Sequence, residues 1–254
     1  MRHLPAALMG LVLAACPASP VVAAEPDGWT DLLKSGKDSP WKSVDKNWIF
    51  TDSVSLAPAK PDAPAKTPRT KLLAAAPVEG GGVWVNGGGR VPDLITKQSF
   101  GDCEVHVEFL IAEKSNSGIK FHAVYEIQIL DSYGKKTELS GDDCGGIYPR
   151  AELKPNYHHI DKGTPPKVNA AKPAGEWQTL DVVWQSPRFD DKGEKTANAK
   201  VVKAILNGQV IHEDQELKTP TGNNYTKKET PTGPFMLQAD HGPVAFRNVK
   251  IKVK

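Results

Sequence analysis

The chain has 254 residues, with 32 Lys and Arg against 30 Asp and Glu and a formal net charge of +2. That balance, with no basic cluster, argues against a nucleic-acid surface. The length supports a core that needs no staples, and 22 Gly with 21 Pro point to many turns and few long helices.

The N-terminus reads as a targeting segment. Arg2 and His3 form a short basic start, and the apolar run from Leu4 to Ala15 is too short for a bilayer span, which takes about 20 residues. Two cleavage readings compete. Val22-Ala23-Ala24 suits ordinary signal peptidase and makes residues 1–24 a signal peptide. Leu13-Ala14-Ala15-Cys16 resembles a lipobox, with Cys16 acylated as a lipid anchor. Both predict export: a periplasmic or extracellular protein, or a membrane-anchored lipoprotein. No later segment is apolar enough to be a transmembrane span.

Residues 25–254 read as one domain. Trp41, Trp48 and Phe50 supply aromatic core anchors, and the proline-rich residues 56–69 read as a surface loop. Val83-Trp84-Val85 is a strand between glycine turns. Those glycines lack the Gly-Lys-Ser/Thr ending and following helix of a phosphate loop.

The central stretch is residues 100–131. In its first strand Cys103, Val105, Val107 and Phe109 alternate with Glu104, His106 and Glu108. In its second, Ile119 and Phe121 alternate with Lys120 and His122, and Tyr125, Ile127 and Ile129 alternate with Glu126 and Gln128. Period-two alternation predicts strands with one apolar face. If residues 113–118 make a hairpin, the ionisable faces of both strands join in one polar groove, with His122 included if the chain stays extended through Ala123 and Val124.

Farther on, residues 132–150 form an irregular insert and residues 156–172 a polar loop. That loop holds His158-His159, whose zinc reading is weak because adjacent strand residues point oppositely. Residues 176–185 are a strand. Residues 200–211 are a hairpin turning at Asn207-Gly208, and residues 235–240 and 244–253 close the sheet. With no sustained helical stripe, the pattern predicts an all-β sandwich of the jelly-roll kind. Cys103 and Cys144, an even pair in an exported chain with Cys144 in a glycine-rich turn, are expected to form a disulfide.

Several segments together resemble the 3-keto-disaccharide hydrolase domain family, first named as a domain of unknown function. They are Asn116-Ser117-Gly118 ahead of Tyr125 to Asp131, Gly146-Ile147-Tyr148, Pro173 to Gln178, Leu237-Gln238 with Asp240-His241-Gly242, and Phe246-Arg247-Asn248. The resemblance covers roughly Trp29 to Val253. It implies a concanavalin-like jelly-roll β-sandwich, a sugar or glycoside substrate and activity on glycosides oxidised at the 3-position. The chain departs from the family pattern at Lys120 and His122.

A ketone at C3 acidifies the C2 hydrogen, so cleavage needs a base, an enolate stabiliser and an acid. Glu126 and His241 are the candidates for base and acid, in either order. Lys120 or His122 would hold the oxyanion. Asn116, Gln128, Gln238 and Glu108 are substrate-binding candidates. Asp131 is as well placed to cap a turn as to act, and Arg247 to pin a carboxylate. No cofactor is certain. A divalent metal held by Glu, His and Gln would also stabilise an enolate. The alternatives are a two-carboxylate glycosidase, a non-catalytic carbohydrate-binding module and an adhesion domain without a pocket.

Overall fold

The computed structural model describes residues 27–254. The predicted signal segment and Cys16 lie outside the described residues. Among the described residues eighteen strands run in chain order: β1 Thr30–Asp31, β2 Ile49–Thr51, β3 Val54–Leu56, β4 Leu72–Ala74, β5 Val83–Val85, β6 Leu94–Phe100, β7 Cys103–Ile111, β8 Asn116–Phe121, β9 Tyr125–Leu130, β10 Ala151–Glu152, β11 His158–His159, β12 Gln178–Gln185, β13 Arg188–Phe189, β14 Lys195–Ala197, β15 Ala199–Leu206, β16 Gln209–Leu217, β17 Gly233–Leu237 and β18 Val244–Val253. Among the described residues the helical element is one 3-10 turn, Gly36–Asp38, and no helix is long and apolar enough to cross a membrane.

Two antiparallel sheets make the sandwich. The eight-stranded sheet has the order β16-β15-β12-β7-β18-β5-β2, with β1 also on β18; the four-stranded sheet has the order β6-β17-β8-β9. Each contributes one apolar face to a common core. Val105, Val107 and Phe109 of β7 and Leu180, Val182 and Trp184 of β12 face Ile119 and Phe121 of β8 and Tyr125 and Ile127 of β9. Phe121 stacks on Trp184 across the interface, ring centroids 4.5 Å apart. This is the all-β jelly-roll sandwich that the alternation predicts, with buried side chains at every second position along β12 and through most of β7.

The topology corrects the expected hairpin. Strands β7 and β8 belong to different sheets, so residues 112–115 cross from one layer to the other. The sheet that β7 enters pairs it with β12 and β18. Both alternation patterns are real, but their polar faces lie on opposite outer surfaces of the sandwich.

Asp131 secures that crossover. Its Oδ2 accepts the Lys114 backbone N–H at 2.8 Å, and its own N–H donates to the Ser115 carbonyl. This is the turn-capping alternative of its two predicted roles.

The expected disulfide is absent: Cys103 and Cys144 are both free and buried. Cys103 opens β7 opposite Trp184 and Val253. Cys144 precedes Gly145, which lies against Ile211 and Leu206 at the other end of β15. Each thiol sits in its own apolar surroundings, and burial pushes both pKa values up to about 12. They behave as small core hydrophobes.

Candidate active site

The outer face of the four-stranded sheet carries the site. On β8 the residues alternating with the core are Asn116, Gly118 and Lys120; on β9 they are Glu126 and Gln128; on β17 the pocket residue is Met236, followed by Gln238. Register brings them together. Lys120 is opposite Glu126, Gly118 opposite Gln128, and Met236 opposite Lys120. Loops rise around this floor and close a pocket of about 660 Å³. Its lining includes Asp93, Asn116, Lys120, Glu126, Gln238 and His241, with Tyr148, Tyr157, Gly222, Asn223, Asn224 and Lys227 on the opposite rim. Asn116, Lys120, Glu126, Gln238 and His241 therefore converge as expected, although they come from β8, β9 and the segment after β17, more than 100 residues later in the chain.

Glu126 is the centre of the floor, 4% exposed. Its Oε2 lies 3.1 Å from Lys120 Nζ. Burial raises its pKa above the usual carboxylate range, and Lys120 opposes that rise. Gly118 makes room for the carboxylate: a Cβ there would lie 2.5 Å from Glu126 Oε1. Beside it, Gln238 Oε1 is buried with no hydrogen-bond donor in the protein. A buried acceptor in that state is an expense unless a ligand supplies the donor.

His241 stands on the turn between β17 and β18. Its Nδ1 contacts Asp240 Oδ1, which directs Nδ1–H to the carboxylate and leaves Nε2 as the acceptor. The turn is fastened from below by Asn86. This fully buried side chain donates to the carbonyls of Ala239 and Gly242, 2.8 Å each, and accepts the Val244 N–H at 2.9 Å. The turn also presses on the crossover: a Cβ on Gly242 would lie 2.3 Å from Ser115 Oγ. Asp93 accepts the Ala239 N–H at 2.8 Å. Its pKa is raised, first by burial and then by Asp240 against the opposing backbone bond.

Three predicted site residues lie elsewhere. His122 is buried in the core, because His122 and Ala123 adopt φ of 52° and 56° and turn the chain instead of extending it. Its ring sits edge-on to Tyr125 and Trp184, with Nε2 at 3.0 Å from Ser186 Oγ. Burial pushes its pKa down to about 4. Glu108 lies on the outer face of the large sheet, where it accepts from Arg247 Nε and Asn248 Nδ2 at 2.6 Å each. Arg247 also stacks over Trp177, 4.1 Å from the ring centroid; it pins a carboxylate far from the pocket. Gln128 shares the face of Glu126 but is covered by residues 142–148. Its Nε2 donates to Asp142 Oδ1 at 3.2 Å, and its backbone pairs with Gly145 and Gly146.

Sequence reasoning passed over Asp93, Asn86 and Tyr157. Asp93 and Asn86 carry no alternation signal, since they sit just outside strands and act through contacts with residues 239–244. Among the described residues no group of three or more His, Cys, Asp or Glu side chains is disposed to hold a metal ion. The cation beside Glu126 is the Lys120 ammonium.

The description of the family that matches this chain is the 3-keto-alpha-glucoside-1,2-lyase-like domain, over residues 25–252. The chain belongs to this family. A solved structure of a candidate glycosyl hydrolase from Parabacteroides distasonis is 28% identical, with a TM-score of 0.54, over 68% of this chain and 72% of that one. A second candidate glycosyl hydrolase from the same organism is 17% identical, TM-score 0.49, covering 82% and 88% of the two chains. A third is 20% identical, TM-score 0.47, covering 68% and 87%. No curated protein matches the chain. The site described above thus belongs to a 3-keto-alpha-glucoside-1,2-lyase-like domain. Its floor is built from the segments that carried the resemblance: Asn116 to Gly118, Tyr125 to Asp131, and Gln238 to Gly242.

Proposed function

We propose that this 3-keto-alpha-glucoside-1,2-lyase-like protein is an exported enzyme that cleaves glycosides oxidised at C3, by proton abstraction at C2. Family membership and the Parabacteroides relatives support an enzyme acting on glycosides. The observation that carries the finer reading is the adjacent carboxylate and ammonium on the pocket floor, Glu126 and Lys120, 3.1 Å apart. In a 3-keto sugar the acidic C2–H and the carbonyl oxygen are two bonds apart. A base and a cation side by side match that spacing.

Glu126 takes the C2 proton, and the electron pair of the C–H bond becomes the enolate, whose oxygen Lys120 stabilises. The enolate collapses, C1=C2 forms, and the C1–O bond breaks with its pair on the departing oxygen. Water then adds at C1 for net hydrolysis, with His241, oriented by Asp240, as the proton-transfer group for that step. A raised carboxylate pKa brings Glu126 nearer to what a base at neutral pH needs. Gln238 and Asn116 meet the sugar hydroxyls, and Gln238 Oε1 gains the donor that the protein does not provide.

The test is turnover of a 3-keto-glucoside against the unoxidised glucoside, with Glu126→Gln as the control. Turnover confined to the oxidised sugar and lost in the variant supports the reading; hydrolysis of the unoxidised sugar overturns it. A binding-only module is the second reading, favoured by the exposed ring of Tyr157 at the rim. It predicts calorimetric binding of the oxidised sugar with no turnover.

A further inference from the structure

The rim opposite His241 holds three hydrogen-bonded side chains that the mechanism above does not use. Tyr157 Oη is 2.9 Å from Tyr148 Oη, and Tyr148 Oη is 3.0 Å from His159 Nε2. The His159 ring lies edge-on to both tyrosine rings, at 5.2 Å and 5.7 Å between centroids. The backbone explains the assembly. The Tyr148 N–H donates to the Glu126 carbonyl, which sets Tyr148 along the open edge of β9. The pair β10–β11 places His159 opposite Ala151, and Tyr157 precedes that strand. Tyr148 and Tyr157 both line the pocket of Glu126 and Lys120; His159, exposed like Tyr157, lies outside that lining. The chain of hydrogen bonds therefore runs from solvent to the pocket, on the flank of Glu126 away from His241.

We propose that His159, Tyr148 and Tyr157 form a proton-delivery path to the departing oxygen of the glycoside. This rests on the reading of the site as a 3-keto-glycoside cleaving enzyme. With His159 as imidazolium, Nε2–H donates to Tyr148 Oη and the Tyr148 hydroxyl donates to Tyr157 Oη. The Tyr157 proton is then the one left to point into the pocket. As the C1–O bond breaks, the departing oxygen takes the Tyr157 proton, Tyr157 takes that of Tyr148, and Tyr148 takes that of His159. Water reprotonates His159 at the surface, and the tyrosines return to neutral phenols, so protons and charge balance. One further observation supports this polarity. Burial holds both phenols protonated above the usual range; the bond between them raises Tyr148 further and lowers Tyr157, and the charges of Glu126 and Asp142 add to the rise in both.

The experiment compares two 3-keto-glucosides that differ in the departing group, 4-nitrophenol or methanol, in wild type, Tyr157→Phe and His159→Gln. A stable nitrophenolate needs little protonation, whereas methoxide needs a full proton. Removal of a general acid slows such a step by roughly 10²–10⁴. The expected result is a kcat loss in Tyr157→Phe at least about tenfold larger for the methyl than for the nitrophenyl substrate, with His159→Gln following in the same direction. Equal losses on both substrates, or no loss in His159→Gln on the methyl glycoside, overturn the path while leaving the cleavage reading intact. Wild-type protein that turns over neither substrate overturns both. Unchanged circular dichroism of the variants excludes unfolding as the cause.

Discussion

Two outer faces of this sandwich share one sequence pattern and have opposite fates. On the large sheet, Glu104, His106 and Glu108 alternate with core residues and meet Lys254, Asp181, Arg247 and Asn248. Each charge finds an opposite charge or a donor in the protein at a solvated surface. On the small sheet, Lys120, Glu126 and Gln128 alternate just as regularly. There the face lies under loops 142–148, 156–157 and 222–227, and buried acceptors of Gln128 and Gln238 have no donor. Polar alternation marks an outer face. What covers the face decides whether it becomes a site.

The largest effect should separate the two faces directly. Glu126→Gln is expected to lower kcat/KM on a 3-keto-glucoside by roughly 10³ or more, because it removes the base. Glu108→Gln, on the paired face, is expected to leave it within about twofold, in line with the modest worth of surface ion pairs. Equal losses in steady-state assays would erase the distinction.

Lys120→Met sharpens the reading of the buried face. The variant should lose roughly 10² in kcat with its oxyanion stabiliser. Burial raises the pKa of Glu126 and Lys120 opposes that rise. Deletion of the cation therefore lifts the pKa further and keeps the base protonated to higher pH. The acid limb of the kcat/KM profile should move to higher pH; a shift to lower pH would remove Glu126 as the base.

Asn86→Ala tests whether the buried face depends on its loops. It removes three buried hydrogen bonds from the turn that holds Asp240 and His241. The expected destabilisation is about 3 kcal/mol, read by denaturant unfolding, together with a fall in kcat at temperatures where the protein remains folded. A variant with normal kcat would show that the turn needs no fastening.

The smallest effect belongs to the paired face. The hydrogen bond to Asp181 is the main cause of a raised pKa at His106, helped by Glu108 and opposed by burial. A raised histidine pKa gives stability that is fully present below the ordinary value of 6.5 and is lost as pH rises through the folded-state value. His106→Gln should remove that pH-dependent component, worth no more than about 1 kcal/mol at this half-exposed pair. Melting temperatures compared across pH 5 to 9 measure it, and a difference that grows with pH would contradict the assignment.

The alternating positions of β7, β8, β9 and β12 made the sandwich legible from the sequence, because a period of two leaves no other way to bury one face. The Asn207-Gly208 hairpin was legible for a similar local reason: both residues take positive φ, 50° and 80°, as a tight turn between twisted strands demands. The motif segments also named Glu126, Gln238 and His241 correctly as neighbours. Local pattern could not say which sheet each strand joins. The crossover at residues 112–115 sent Glu108 to one surface and Glu126 to the other, and the positive φ at His122 turned that ring into the core. Nor could even cysteine count place Cys103 and Cys144 near each other, since pairing depends on three-dimensional separation. The sequence by itself determined which residues face outward and which inward, through strand periodicity and turn chemistry. Only the tertiary structure decided which outward face became a buried pocket, because that depends on loops packing over it from residues 93, 148, 157, 223 and 241, far apart along the chain.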